Sequence, residues 1–262
     1  MVLLLLFVFG LCIGSFLLVL ADRIPRNEPV FFGRSHCDNC KKTLTYKDLI
    51  PFFSFITLNG KCRYCKKSLS LYYPTVELLT GVLFVLTYLM IAQTSSMYYV
   101  ASIKYVELIY YLFIVSVLIV IFFADLKYGL IPFVVIFPAI ILSFLYFILN
   151  TQYLIPNHLY AALGASVFFL LIFLITRGRG MGFGDVVLAF FMGLLLGFPN
   201  IIVSLYVAFL TGTIISLILI LGGKKKFFGS TIPFGPFLIL GTYISLFWGD
   251  MIVAFALSYI GL

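Results

Sequence analysis

The stretch MVLLLLFVFGLCIGSFLLVL, Met1 to Leu20, carries no charge and is closed by Ala21-Asp22-Arg23. A helix crossing the hydrocarbon core of a bilayer uses about 20 apolar residues, so this run reads as a membrane span. No basic segment precedes Val2, and Arg23 and Arg26 follow the run instead. That order predicts a retained anchor rather than a cleaved signal peptide.

Working outward, seven further apolar runs appear between charges, prolines, glycines or asparagines: Pro74 to Ile91, Val106 to Ala124, Ile131 to Leu149, His158 to Thr176, Val186 to Phe198, Ile201 to Leu221 and Pro236 to Leu262. The sixth of the eight runs is short. The last is long and contains Gly249-Asp250, which predicts a helix ending near Trp248 with an interfacial tail. Of the 262 residues 63% are apolar and only 10% charged, with a mean hydropathy of +1.20, which excludes a soluble globular fold. The expected fold class is an all-α polytopic membrane protein of about eight transmembrane helices with a small zinc-binding cytoplasmic subdomain. The expected organisation is a first transmembrane helix over 1–21, a four-cysteine subdomain over 22–73 and a transmembrane core over 74–262.

The net charge of +8 is distributed by topology. If the runs alternate across the bilayer, every Lys and Arg of the 17 except Lys104 falls on one side. These include Arg23 to Lys67, Lys127, Arg177, Arg179 and Lys224 to Lys226. The positive-inside rule makes that side cytoplasmic and places both termini outside. The basic balance then implies orientation and anionic lipid contact, and no nucleic-acid partner, because the bases fall in no nucleic-acid-binding motif.

Cys37-Asp38-Asn39-Cys40 and Cys62-Arg63-Tyr64-Cys65 are two CxxC pairs inside the one sizeable polar block. A CxxC turn brings two thiolates to one cation, and two such turns complete a closed, tetrahedral four-thiolate site of the structural zinc kind. A block of 52 residues has little core of its own, so metal binding would supply folding free energy. A redox pair and unligated small hydrophobes are the competing readings. His36 is surplus to four sulfurs, and Cys12, within the first span, reads as packing. No internal repeat is expected elsewhere.

Carboxylates are costly at membrane depth, and each one there is a candidate for function. Asp125 closes the third run in Phe122-Phe123-Ala124-Asp125, and Asp185 opens the sixth after Gly182-Phe183-Gly184. Brought together, two such groups would share one proton and could activate water against a peptide carbonyl. Gly182 and Gly184 would let a substrate backbone approach closely. The bland alternatives are a helix N-cap for Asp185 and an interfacial residue paired with Lys127 for Asp125. Glu77, in Pro74-Thr75-Val76-Glu77, is a third candidate and Asp22 a weaker fourth. Pro138 inside the fourth run should kink that helix.

These residues resemble the prepilin peptidase, or type IV leader peptidase, family along nearly the whole chain. The resemblance rests on Gly14-Ser15-Phe16-Leu17 with Arg23-Ile24-Pro25; on the two CxxC pairs with Asp48-Leu49-Ile50-Pro51, Ser54, Gly60-Lys61, Tyr73-Pro74 and Glu77; and on Asp125 with Ile131-Pro132, Gly182 to Asp185, and Pro233-Phe234-Gly235-Pro236. It implies a membrane aspartic endopeptidase of the GxGD type with Asp125 and Asp185 as the catalytic pair. Its substrates would be prepilin or pseudopilin precursors, cut at the cytoplasmic surface between Gly and a hydrophobic residue. Many members also N-methylate the new amino terminus with S-adenosylmethionine, for which this sequence carries no Gly-rich fingerprint of its own. The sequence departs from the family pattern at Leu18, Asp38 and Val187. Presenilin-like proteases share GxGD but not the cysteine pairs or Asp-Leu-Ile-Pro. The remaining alternative is a zinc-stapled membrane scaffold or transporter without hydrolytic chemistry.

Overall fold

The computed structural model describes residues 1–30, 34–37, 39–94, 101–150, 155–222 and 232–260. Asp38 and the Lys224 to Lys226 cluster lie outside the described residues. Outside the block between residues 24 and 71, which is mostly turns and irregular backbone, the fold is helical; the extended pairing among the described residues is two isolated antiparallel bridges, His36 with Thr43 and Lys61 with Ser68. Helix α1 spans Val2–Arg23, α2 Phe53–Thr57, α3 Tyr72–Thr94, α4 Ala101–Tyr128, α5 Phe133–Asn150, α6 Ile155–Ile175, α7 Phe183–Leu196, α8 Asn200–Leu221 and α9 Gly235–Ile260, with a 3-10 turn at Tyr46–Leu49. Among the described residues six helices are long and apolar enough to cross a membrane, namely α1, α3, α4, α6, α8 and α9, and α5 and α7 are shorter apolar helices. The eight apolar runs are therefore eight helices, in a membrane protein with a clustered four-cysteine block.

The chain divides into two compact units, Met1–Val120 and Ile121–Leu262. In the first, α1 packs on α3. The contact is made by glycine: a Cβ on Gly10 would lie 2.7 Å from Gly81 Cα, and one on Gly14 would lie 2.9 Å from Glu77 Cα. Gly10-x-x-x-Gly14 is thus a small-residue stripe that lets two apolar helices approach backbone to backbone, which van der Waals packing rewards in lipid. Cys12 faces away from this contact and is exposed, so it packs no core.

In the second unit α7 is the central helix, packed against α5, α6, α8 and α9. Ten of its 14 residues are buried, from Asp185 and Val186 through Leu196. At about 1.5 Å per residue it is roughly 21 Å long, short of a bilayer core of about 30 Å. A helix sheathed by others meets protein rather than lipid, so its length need not match the membrane. Gly193 sets the α6–α7 distance, since a Cβ there would lie 2.5 Å from Ala162 Cα.

One expectation and one of the bland alternatives are corrected. Gly249-Asp250 does not end the last helix: α9 continues to Ile260. The reason is long-range, because Asn200 at the start of α8 donates from Nδ2 to Asp250 Oδ1 at 2.8 Å, and Ser245 Oγ donates to the Asn200 carbonyl at 2.6 Å. Asp185 is not an N-cap either. Gly182 holds that position and Asp185 is the third helical residue. Pro138 lies inside α5, where its ring removes one backbone hydrogen bond.

Candidate active site and metal centre

Asp125 sits one turn before the end of α4. Gly129, at φ +65°, ends that helix, its N–H donating to the Asp125 carbonyl at 2.8 Å. The left-handed conformation suits glycine, which has no Cβ to clash. Asp125 is 5% exposed, and its Oδ2 is buried with no hydrogen-bond partner among the described residues. Its near neighbour is Gly235, the first residue of α9, whose backbone N–H faces the carboxyl group. A Cβ on Gly235 would stand 2.5 Å from Asp125 Oδ2. Glycine is thus the only residue that leaves this carboxyl in place.

Asp185 is 8% exposed, and its Oδ2 accepts from the Gly182 N–H at 3.2 Å. This satisfies one of the free donors at the start of α7 and fixes the carboxylate in the first turn, where a helix favours negative charge. The two glycines of the GxGD stretch act differently. Gly182 lies beside the Asp185 carboxyl, with its Cβ position 3.6 Å from Oδ2, and Gly184 packs on Ile131, where a Cβ would lie 3.0 Å from the Ile131 Cβ. The charge of Asp125 acts directly on Asp185, so the unit brings the two carboxyl groups together as electrostatic neighbours. The role of Gly235 was not readable from its sequence surroundings. Beneath it, Phe234 packs on Phe209 with ring centroids 5.2 Å apart and on Phe169 at 6.3 Å.

Glu77 belongs to the first unit and is buried in α3. Its Oε2 accepts the Phe52 N–H at 2.8 Å, and the Ser15 hydroxyl donates to the same carboxyl group. Phe52 has φ +61°, an uncommon conformation for a bulky residue. The strained turn aims its amide at Glu77, which thereby ties α1, α3 and the cysteine block together. Asp22 pairs with Arg26 at 3.8 Å, one turn along the chain.

In the cysteine block the ligand atoms of Cys37, Cys40, Cys62 and Cys65 all lie within 4.8 Å of one another, and among the described residues they are the only such group. Cys37 Sγ is 3.9 Å from Cys65 Sγ, close to the roughly 3.8 Å edge of a tetrahedron with metal–sulfur bonds of about 2.3 Å. The donor set fits a closed four-thiolate metal site, and His36 stands outside it. Without a cation four thiolates cannot all carry charge at this spacing. The Lys67 N–H and the Asn39 amide lower the Cys65 thiol to about 6. For Cys40 the Lys42 N–H acts downward, but burial and the three neighbouring sulfurs push the thiol up to about 11.

The two CxxC turns are copies of one another. Cys37 N–H donates to Lys42 O at 3.0 Å and Cys62 N–H to Lys67 O at 2.9 Å; Leu44 N–H reaches Ser35 O at 2.8 Å and Leu69 N–H reaches Gly60 O at 2.7 Å. Lys41 and Lys66 are both left-handed, at φ +56° and +58°. Residues 35–44 and 60–69 thus form a ten-residue repeat, Cys-x-x-Cys-Lys-Lys with Leu closing each copy. Between the copies, the Asp48 side chain is 3% exposed and braced. Burial pushes its carboxyl up, but the Thr45 hydroxyl at 2.7 Å, Arg63 Nε at 2.6 Å and the Thr45 N–H outweigh burial and hold it below the usual carboxylate range.

Comparison with known proteins agrees with this architecture. The profile of the Bacterial Peptidase A24 N-terminal domain matches residues 8–91, which include most of α1, the cysteine block and most of α3. The profile of the Type IV leader peptidase family matches residues 112–217, which hold both aspartates. No solved structure matches the chain significantly. Among curated relatives, the prepilin leader peptidase/N-methyltransferase of Legionella pneumophila is 30% identical over 96% of this chain and 93% of its own. The protein of the same name from Bacillus subtilis strain 168 is 32% identical over 95% of this chain and 96% of its own. With two profiles divided over the same two regions as the cysteine block and the aspartate pair, and relatives matched from end to end, the chain belongs to the type IV leader peptidase family of membrane proteases.

Proposed function

We propose that this protein is an aspartic endopeptidase that removes the short leader from type IV prepilin or pseudopilin precursors at the cytoplasmic face of the inner membrane. Asp125 and Asp185 are its catalytic carboxyl groups, supported by Gly182 and Gly184, while Glu77 holds the cysteine block to α1 and α3 in the first unit. The observation that carries the reading is the burial, in one apolar helical unit and within reach of each other's charge, of two acids sixty residues apart in sequence, one with a carboxylate oxygen that has no hydrogen-bond partner among the described residues. An unsatisfied buried acceptor costs about 1–3 kcal/mol, and a role in binding water or a peptide group accounts for its presence.

In this mechanism one carboxylate takes a proton from a water molecule as the water oxygen bonds to the scissile carbonyl carbon. The other, protonated, donates to the carbonyl oxygen. The tetrahedral diol then collapses, the C–N bond breaks, the amine leaves with a proton, and the leader keeps the new carboxyl group. A precursor with one membrane helix shares the bilayer with the enzyme, which holds its leader junction near the acids. Such positioning lowers the barrier without extensive sequence reading.

The cytoplasmic placement, with both termini outside, rests on the distribution of Lys and Arg. The 22–73 block is then a cytoplasmic subdomain between the first helix and the 74–262 core. Zinc is its proposed ion, held by Cys37, Cys40, Cys62 and Cys65, where it would supply folding free energy and no open coordination position. The relatives' names include N-methyltransferase, and methylation of the new amino terminus, with S-adenosylmethionine as co-substrate, belongs to the proposal.

The test is incubation of the purified, lipid-reconstituted protein with a prepilin and S-adenosylmethionine, followed by mass spectrometry of the product. Native protein should release the leader and add one methyl group. Leader release that persists in both Asp125→Asn and Asp185→Asn would refute the assignment.

A further inference from the structure

The cysteine block has an exposed face that the catalytic reading does not use. The two short helical pieces between the CxxC copies each turn an apolar pair outward at i and i+3: Tyr46 and Leu49 on the 3-10 turn, Phe53 and Ile56 on α2. Tyr46 is 76% exposed, Phe53 58% and Ile56 53%, and Leu49 and Ile50 are exposed beside them. This is selective rather than a failure to pack. Phe55, between Phe53 and Ile56, instead packs under Gly60, where a Cβ would lie 3.0 Å from its ring. A cluster of five bulky apolar side chains on a block with so little core of its own marks an interaction surface.

The charge around this face narrows the partner. Arg34, Lys41, Lys42, Lys47, Lys61, Arg63, Lys66 and Lys67 are all exposed, and Asp48, the one acid described between residues 34 and 71, has a side chain only 3% exposed and already paired with Arg63. Lys47 lies 5.9 Å from the Tyr46 ring, at the edge of the apolar cluster. The block is also tethered at both ends. It leaves α1 after Arg23 and enters α3 at Tyr72, and both helices are long and apolar enough to span a bilayer. A surface tied at each end to a membrane span is held near headgroups at very high effective concentration.

We propose that the Tyr46 to Ile56 face docks on the bilayer surface, with Tyr46, Leu49, Ile50, Phe53 and Ile56 seated in the interface and the surrounding Lys and Arg against anionic phospholipid headgroups. The combination is that of interfacial segments generally: an apolar face buried about 5–10 Å into the headgroup and acyl boundary, with basic side chains near the surface attracted to anionic lipid. Docking would fix the tilt of the metal block over the membrane. It requires no assumption about catalysis.

The test uses tryptophan as a depth reporter in the full chain. Trp248 is the single native tryptophan; it is replaced by Phe, and Phe53→Trp or Ile56→Trp is introduced separately. Each protein is reconstituted into phosphatidylcholine vesicles with or without phosphatidylglycerol, using brominated acyl chains as quenchers. Both reporters should emit at short wavelength, be quenched severalfold more by bromolipid than by aqueous acrylamide, and move toward the aqueous signature when phosphatidylglycerol is omitted or salt is raised. Red emission open to acrylamide overturns the proposal. So does a reporter shielded from both quenchers, as a covering protein surface would leave it, and so does bromolipid quenching indifferent to headgroup charge. Agreement of two positions guards against a local distortion by either substitution.

Discussion

The two regions that carry chemistry-bearing residues hold them in place by opposite means. The cysteine block is polar, short of core and built from a repeated local turn, so its geometry comes from backbone hydrogen bonds within ten residues of each sulfur, around a four-thiolate cluster fit to hold a metal. The aspartate pair has no local motif beyond two glycines, and its geometry comes from packing: α7 sheathed by four helices, Gly235 pressed on Asp125, Gly184 on Ile131. One site is specified along the chain and is ready to be completed by an ion, and the other is specified across the fold and completed by close contact. The first should fail by unfolding, the second by misplacement.

The sharpest way to break this contrast is at the acids. Asp125→Asn and Asp185→Asn should each lower the rate of leader cleavage by about 10²–10⁴-fold, the range expected when a positioned acid or base is removed. Bound metal, measured by elemental analysis, should stay at the native level. Metal loss in these variants would mean that the two regions are not separate. Cys37→Ser and Cys62→Ser should do the reverse, releasing metal and exposing residues 34–71 to limited proteolysis. If elemental analysis of native protein purified without chelator finds no metal, the four-thiolate reading fails.

A finer break is Gly235→Ala. The added Cβ would lie 2.5 Å from Asp125 Oδ2, so the carboxyl must move while the helix stays. Cleavage should fall by roughly 10²-fold, as for an ångström-scale misplacement of a reacting group, while Tm changes little. A loss of Tm comparable to that of Gly193→Leu, which sets two backbones apart, would show that Gly235 matters for packing rather than for position.

The smallest effect is expected at Asp48. Its carboxyl is depressed in the folded block, so it contributes stability that is fully present above the unfolded carboxylate pKa of about 3.9 and is lost only as pH falls through its lower folded value. Asp48→Asn should therefore lower the Tm of the metal-loaded protein by a few degrees, by the same amount at pH 6 and pH 8. A penalty that shrinks between those two values would sink the assignment of an ionised Asp48 held by Arg63 and Thr45.

Much of this was legible in the residues because the bilayer is a demanding solvent. Eight apolar runs became eight helices, and acids rare enough to be counted singly stood out at Asp125 and Asp185. The four cysteines clustered as their spacing required. What stayed hidden depends on partners distant in sequence. Gly235 is an ordinary glycine until α9 is laid against α4. Gly249-Asp250 looked like a helix end because Asn200, fifty residues earlier, supplies the partner that lets the helix continue. Asp185 as third residue rather than N-cap turns on one residue of helix onset, which propensity does not fix. The repeat of 35–44 in 60–69 extends the CxxC pairs by Lys-Lys and a closing Leu, and the backbone conformation shared by the two copies is what the structure adds.

The sheathing of α7 has a consequence for how the protein answers to its surroundings. Helices that touch acyl chains must tilt or stretch the membrane when its thickness changes. α7 touches few, so the depth of Asp185 is inherited from its neighbours and not negotiated with the lipid. Switching the host bilayer from short to long chains should strain the outer spans first, leaving the inner helix and its acid as the steadiest reference level in the molecule.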